Sequence, residues 1–271
     1  MAFNSAKDST SGSGPKVYYQ GVENVKITCI NPNQEELKQM GFAQAEAPVY
    51  LGKDDKGVAQ VRIACFTDNA DTTKPFKSSL SFYIKNQQKA SSTGKLLYIN
   101  KFGETAYLPK DGTIPTNMEW YRTEGMRPAL DGEEAFVIMV KNYLNVPKDE
   151  ECYLENPAKL FSGDFTEIKN IPSVGGNNKV GVLWGIKKVE GSEGTKYYQN
   201  AYNRMFMRQY AKVDTTGKMG SYEYLRDNLA EYKSNGGAGS VDYGSYPFTF
   251  RIVDPSKSET VSPTSGEKLP F

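Results

Sequence analysis

Histidine is absent from all 271 residues of the sequence. This absence excludes Ser-His-Asp and Cys-His catalytic sites, imidazole general bases and every zinc site that needs a histidine ligand. The three cysteines, Cys29, Cys65 and Cys152, are widely spaced and form no Cys-x-x-Cys pair, so we predict no metal site and no cofactor. Cys29 and Cys65 lie in alternating apolar stretches, which is typical of small buried side chains in a reducing compartment.

Long apolar runs and a strong net charge are also missing. The longest uninterrupted aliphatic and aromatic run, Ala135 to Val140, has six residues, whereas ~18 are needed to span a bilayer. The first residues lack the basic and then apolar pattern of a signal peptide. The formal net charge is +1, from 33 Lys+Arg and 32 Asp+Glu. We therefore expect a soluble cytoplasmic protein that does not bind membranes.

Composition predicts one ordered domain at 17–253. Residues 1–16 are Gly/Ser-rich and residues 254–271 are Ser/Thr/Pro-rich, which predicts a flexible N-terminal arm and a flexible C-terminal tail. Alternating apolar and polar residues predict the strands of the domain. These strands are Val22 to Ile30, Gln60 to Phe66, Leu80 to Ile84, Lys95 to Phe102, Lys179 to Val189, Tyr197 to Tyr210 and Pro247 to Val253. Gly103-Glu104 is predicted to turn a hairpin.

Three helices are predicted from their start signals. Asn31 is the predicted N-cap of the first, with Pro32 at the first helical position, acidic residues in the first turn and Gly41 at its end. The second begins at Asp131 and the third runs from about Ser221 to Lys233. The pattern predicts a mainly β protein with a few helices (α+β), in which an OB-like β-barrel is elaborated by helical insertions.

Basic and aromatic residues are interleaved in two stretches. Lys179 to Lys212 holds seven basic, two acidic and six aromatic residues, and Leu80 to Arg127 holds seven basic, four acidic and seven aromatic residues. Proteins that bind single-stranded nucleic acid combine cations for the phosphates with rings that stack on the bases. An ordinary one-sided sheet, with aromatics inside and lysines outside, gives the same alternation, so both interpretations stay open. An uninterrupted strand from Tyr197 to Tyr210 would place rings and cations on one face.

Several short motifs occur in an order that resembles a known family. They are Val25-Lys26-Ile27, Asn31 to Leu37, Pro48 to Leu51, Leu80 to Ile84, Thr93-Gly94-Lys95, Ile99 to Gly103, Arg127-Pro128-Ala129 and Gly132-Glu133-Glu134. Over residues 20 to 210 the chain resembles the single-stranded DNA-binding proteins of large tailed bacteriophages, including the crAss-like phages. The resemblance implies an elaborated OB-fold whose groove holds single strands during replication and recombination. It also implies a C-terminal tail that recruits replication or recombination proteins.

Pattern and resemblance together predict a non-enzymatic, sequence-independent single-stranded DNA-binding protein. The rings predicted to stack on bases are Tyr98, Trp120, Tyr121, Tyr198, Tyr202 and Phe206. The cations predicted to contact phosphates are Lys95, Lys101, Arg122, Arg127, Lys187, Lys196, Arg204 and Arg208. The apolar tip Pro270-Phe271 is predicted to bind a partner protein.

Two other classes of protein are alternatives. The first is a phage structural or head-associated β-sandwich protein whose aromatic residues form a protein-protein interface. The second is a nuclease, which would need clustered carboxylates for two metal ions. No pair of acidic residues in the sequence has a spacing that suggests such a cluster.

Overall fold

The structure is a computed structural model that describes residues 18–40, 48–69, 77–192, 194–202, 207–208, 220–237, 239–245, 248 and 250–255. The predicted N-terminal arm, all but two residues of the predicted tail, and Gly41 lie outside these residues. The described part contains thirteen strands, four α-helices and two short 3-10 helices. The mainly β class with a few helices is therefore confirmed. Among the described residues, no helix has the length and apolarity to cross a membrane.

Strands and helices have the following bounds. The strands are β1 Tyr18–Ile30, β2 Leu51–Lys53, β3 Ala59–Asn69, β4 Lys77–Gln88, β5 Leu96–Ile99, β6 Thr105–Leu108, β7 Arg127–Pro128, β8 Leu130–Asp131, β9 Val180–Gly191, β10 Gly194–Ala201, β11 Met207–Arg208, β12 Val241–Asp242 and β13 Arg251–Val253. The helices are α1 Gln34–Gln39, α2 Glu133–Leu144, α3 Thr166–Lys169 and α4 Gly220–Ser234, with 3-10 helices at Thr116–Met118 and Pro157–Ser162.

The strands form two antiparallel sheets. The larger sheet has the order β10-β9-β1-β3-β4-β8, with β2 added to β3, β11 and β12 to β9, and β13 to β1. The smaller sheet has the order β6-β5-β7 and contains the predicted hairpin at Gly103. Neither sheet closes on itself in the part of the chain that the structure describes. The closed barrel predicted from the sequence is thus not observed, and the larger sheet is open.

Strand β1 is shared between two neighbours. Residues 21–25 pair with β9, and residues 25–30 pair with β3, with a register shift between Ile27 and Cys29. Such a bulge bends a strand and increases its twist. The larger sheet therefore changes direction at β1, which lets one of its faces wrap a helix.

That helix is α2, which supplies the main core. Its Phe136, Met139 and Tyr143 are almost fully buried against alternate residues of β1, β3, β4 and β9. Two glutamates in its first turn lie at the positive end of the helix dipole, and Asn145 ends the helix in the left-handed conformation (φ 53°). The apolar side chains of α2 and the inward-facing apolar side chains of the strands thus bury each other.

Gly132 fixes the start of α2. Its φ of +91° lies in the left-handed region, and a Cβ at this position would lie 2.0 Å from the carbonyl oxygen of Tyr83. Only glycine fits both the conformation and the space. The close approach of the Gly132 backbone to β4 holds α2 against the sheet.

A second cluster covers the other face of the larger sheet. Leu183 of β9 packs there with Tyr202, Leu229 and Tyr243, each at most 3% exposed. Because β9 is covered on both faces here, the whole run Val180 to Ile186 is buried. A continuous apolar run is what a strand buried on both faces requires.

Two sequence-based element bounds are corrected. The N-cap of α1 is Asn33, whose side chain accepts from the backbone of Glu36 at 2.9 Å. Asn31 instead has a positive φ (44°) and accepts from the Ala64 backbone N–H at 2.7 Å, so its side chain is occupied by β3. The strand predicted from Tyr197 to Tyr210 is split into β10 and β11, so its alternation does not continue along one face.

Candidate nucleic-acid interface

Strand β9 changes from buried to exposed after Ile186. Its residues from Val180 to Ile186 are buried, and those from Lys187 to Gly191 are exposed. Its partner β10 is exposed from Gly194 to Lys196 and half-buried from Tyr197 onwards. We call residues 187–191 and 194–198 the ribbon; it is the exposed end of the β9–β10 hairpin, and at its base β12 still pairs with β9 through Val241 and Lys187.

The register of the ribbon places lysines opposite tyrosines. Lys187 is paired with Tyr198, and Lys188 is paired with Tyr197. Residues directly opposite each other in antiparallel strands point to the same face, and successive residues point to opposite faces. Each face of the ribbon therefore carries one cross-strand lysine–tyrosine pair.

One of these faces brings together three residues that the sequence predicted. Lys196, paired with Val189, lies two residues from Tyr198 and therefore on the same face as Tyr198 and Lys187. Both lysines are exposed and the tyrosine is half-buried. A ring between two cations is the arrangement that base stacking with phosphate neutralisation needs.

The opposite face of the ribbon is less cationic. Lys188 forms a 2.7 Å ion pair with Glu190, which raises the pKa of Lys188. The ring of Tyr197 lies edge-on to Tyr18 at 6.2 Å, and the Tyr18 hydroxyl donates to the Tyr197 carbonyl oxygen at 2.9 Å. We therefore expect the contacts of this face to hold Tyr197 in position. We also expect this face to attract phosphates less strongly than the opposite one.

The base of the ribbon is fixed by Gln199. Its Nε2 donates to the carbonyl oxygens of Tyr19 and Gly185 at 2.8 and 2.9 Å, and its Oε1 accepts from the Tyr19 N–H at 2.8 Å. Tyr19 in turn stacks on Phe250 with ring centroids 5.3 Å apart. These contacts join β1, β9 and β10, so the ribbon has a defined direction relative to the sheet.

Three predicted stacking rings are buried instead. Tyr98 and Tyr121 are 8% and 3% exposed, and their hydroxyls donate to the carbonyl oxygens of Lys110 and Glu104. Tyr202 is 3% exposed under α4. We correct the prediction for these three residues, because rings packed inside the protein offer no face to a base.

The two predicted arginines with described side chains are held by carboxylates. Arg122 forms two hydrogen bonds to Glu104 at 2.7 and 3.0 Å, a third to Asp149, and lies 3.6 Å over the ring of Phe102. Arg127 pairs with Glu133, whose side chain is completely buried. We assign both arginines to the structure of the protein rather than to phosphate binding.

The other lysines and the tryptophan lie on or beside the smaller sheet. Lys101 pairs with Glu151 at 3.0 Å, whereas Lys95 is exposed. Trp120 is 69% exposed in the loop after the first 3-10 helix. The smaller sheet joins the larger one beside β4, at the opposite end of the strand order from β10.

Four predicted residues lie outside the described part of the chain: Arg204, Phe206, Pro270 and Phe271. Arg208 is described only through its backbone, which pairs with Val180. The proposed roles of these residues stay predictions.

Comparison with known proteins identified no relative: no family model, no curated protein and no solved structure matches this chain. The resemblance to phage single-stranded DNA-binding proteins therefore stays a prediction.

Sequence reasoning did not select Lys188 and Tyr197, which form the second lysine–tyrosine pair of the ribbon. The signal for this pair was the two glycines at 191 and 194, which lie opposite each other at the end of the hairpin. A turn centred there aligns the lysine doublet at 187–188 with the tyrosine doublet at 197–198. In the residues that the structure describes, no group of three or more Cys, Asp or Glu side chains could hold a metal ion.

Proposed function

We propose that this chain is a non-enzymatic protein that binds single-stranded DNA without sequence preference, and that the ribbon carries the contact. The observation that supports this is the register of β9 and β10, in which Lys187 lies opposite Tyr198 and Lys196 lies on the same face. A role in phage replication and recombination rests only on the resemblance and stays a prediction.

The ribbon supplies both interactions that an unpaired strand needs. Stacking of a base on an aromatic ring contributes about 1–3 kcal/mol. Each exposed lysine neutralises a phosphate and releases counterions, which makes the affinity fall as salt rises. Along β10, Lys196 and Tyr198 are about 7 Å apart, from a rise of about 3.4 Å per residue. A ring and a cation at this distance can contact one nucleotide and the phosphate next to it.

We also propose that the larger sheet is an open form of the OB-fold. In support, β1, β3 and β4 form an antiparallel meander, α2 follows, and the β9–β10 hairpin returns to β1. The ribbon is then the loop between the fourth and fifth strands, one of the loops with which OB-folds bind oligonucleotides. In this assignment, β3 and β4 are the second and third strands of the OB-fold. On their outward face, Tyr83 is 49% exposed and lies opposite Arg62. This face is the second contact surface in the proposal.

The test is a titration of fluorescently labelled oligo(dT), followed by anisotropy at about 50 and 200 mM salt. We expect Tyr198→Ala to weaken binding by about 5- to 150-fold, the equivalent of about 1–3 kcal/mol. Lys187→Ala with Lys196→Ala should weaken it and reduce the slope of log affinity against log salt by about two. The matched control is Lys53→Ala with Lys56→Ala, which removes two exposed lysines, one at the end of β2 and one in the turn between β2 and β3.

Three results would overturn the proposal. Binding of oligo(dT) weaker than about 100 μM at low salt would exclude a single-stranded DNA-binding role. An equal loss in the control variant would exclude the ribbon as the contact surface. Tighter binding of duplex than of oligo(dT) would indicate that the ribbon enters a major groove, as two-stranded ribbons can.

A further inference from the structure

A cavity of about 680 Å³ lies on a part of the protein that the proposed function does not use. It is formed between α2 and the segment 151–172, and its floor is apolar, with Phe136, Val140, Leu144 and Ile171. Its volume falls in the range of about 300–1,000 Å³ that is typical of ligand pockets in proteins.

The wall of the cavity is held in place by polar contacts. Arg127 donates to the Leu154 carbonyl oxygen at 2.6 Å, which ties the segment to the buried Glu133. Further along, the carboxylate of Glu167 accepts from the backbone N–H of Glu155 at 2.5 Å. These bonds join residues that are distant in sequence, so the cavity is formed before any ligand enters.

The rim of the cavity is acidic. Glu151, Glu155, Asp164 and Glu167 line it, with one lysine, Lys159. Because Glu151 is paired with Lys101 at 3.0 Å, the excess of negative charge comes from the other three acids. Hydrogen bonds from Thr166 lower the pKa of Asp164, which therefore stays charged at neutral pH. An apolar floor beneath an excess of negative charge favours a ligand that is apolar in the centre and cationic beside it.

We infer that this cavity is a docking site for a segment of a partner protein in which large apolar side chains lie next to Lys or Arg. The apolar side chains fill the floor and the cation pairs with the rim, as in other grooves that recognise short peptides. A nucleic acid is disfavoured here because its phosphates meet carboxylates. The site is therefore independent of the ribbon and does not depend on the proposed function.

The test uses three peptides with blocked ends, Lys-Phe-Leu-Lys, Glu-Phe-Leu-Glu and Lys-Ser-Ser-Lys, titrated into the full chain and followed by amide chemical shifts. We expect saturable binding of the first peptide below about 5 mM, with shifts in 133–144 and 151–172, and at least about tenfold weaker binding of the other two. Glu155→Gln with Asp164→Asn should weaken the first peptide about fivefold or more, since two rim charges are lost.

The matched control is Asp111→Asn with Glu119→Gln, which removes two exposed acids near the smaller sheet. It should leave the affinity unchanged. The inference is overturned if the first peptide does not saturate, or if either of the other peptides binds as well. It is also overturned if the control variant loses as much affinity as the rim variant.

Discussion

The buried pair of Arg127 and Glu133 allows a quantitative test of the structure. The Glu133 side chain is 0% exposed and accepts from Arg127 Nη1 and from the Leu130 N–H, both at 3.0 Å. Arg127 also donates to the Leu154 carbonyl oxygen. Removing the arginine leaves a buried carboxylate with one backbone donor. Breaking a buried ion pair in this way costs about 3–5 kcal/mol, a large part of the ~5–15 kcal/mol that stabilises a typical domain.

Arg127→Met should therefore lower the free energy of unfolding by about 3–5 kcal/mol. Replacing both partners, with Arg127→Met and Glu133→Leu, should cost clearly less than the sum of the single changes, because no charge is left buried. The measurement is urea denaturation at pH 7, followed by circular dichroism. Arg226→Met is the control, since Arg226 forms an exposed pair with Asp227 and should change stability little.

A loss below about 1 kcal/mol for Arg127→Met would refute this reasoning, because a surface ion pair has that magnitude. A double variant whose loss of stability equals the sum of the two single losses would refute it as well, because the two side chains would then not interact. Either result would restore Arg127 as a free cation and a candidate for phosphate binding.

Three further predictions follow from other sites. Gly132→Ala should lower the free energy of unfolding by more than about 2 kcal/mol, because Gly132 has a positive φ and an added Cβ would clash with a β4 carbonyl. Gly57 also has a positive φ but open space around it, so Gly57→Ala should cost about 1 kcal/mol. Equal losses of stability in thermal unfolding would contradict the clash. Arg122 lowers the pKa of Glu104, so the pair stabilises the fold above about pH 4.3 and this contribution is lost as pH falls through the lowered pKa. Arg122→Gln should thus be less stable than the parent at pH 7 and not at pH 2, as measured by urea midpoints; a difference that persists in acid would exclude the charge pair as its cause. Trp120→Ala should change stability by less than about 0.5 kcal/mol and leave oligo(dT) affinity intact; weaker binding would make Trp120 part of the interface.

Local patterns predicted most of the strands and the main helix. In β1, Val25 and Ile27 are buried as the alternation predicted. The acidic first turn and apolar run of α2 likewise predicted a helix that packs on the sheet. These elements could be predicted because each depends on a periodicity within about ten residues of chain.

The first N-cap was predicted two residues too early for a local reason. Asn31 and Asn33 both stand beside Pro32, and either can cap a helix. The deciding signal was Glu36, three residues after Asn33, whose carboxylate accepts from the Asn33 backbone N–H and so completes a capping box. Asn31 is instead bonded to β3, and no local pattern shows that contact.

The candidate site depended on contacts that the sequence does not show. Tyr198 and Tyr202 follow the same alternation, yet one is half-buried beside two lysines and the other lies in a core cluster. The difference arises because Leu229 and Tyr243, from distant segments, cover only the base of β10. Alternation assigns a residue to a face, whereas its exposure depends on what the rest of the chain packs against that face.

The divided pairing of β1 has a consequence for how the chain folds during synthesis. Val25 pairs with Asn69 of β3 on one side and with Val180 of β9 on the other. The β1–β3–β4 meander can form early, but the second edge of β1 stays open until β9 has left the ribosome. Open strand edges invite pairing with other chains, and distant pairings slow folding. We therefore expect nascent chains that end before β9 to aggregate or to recruit chaperones.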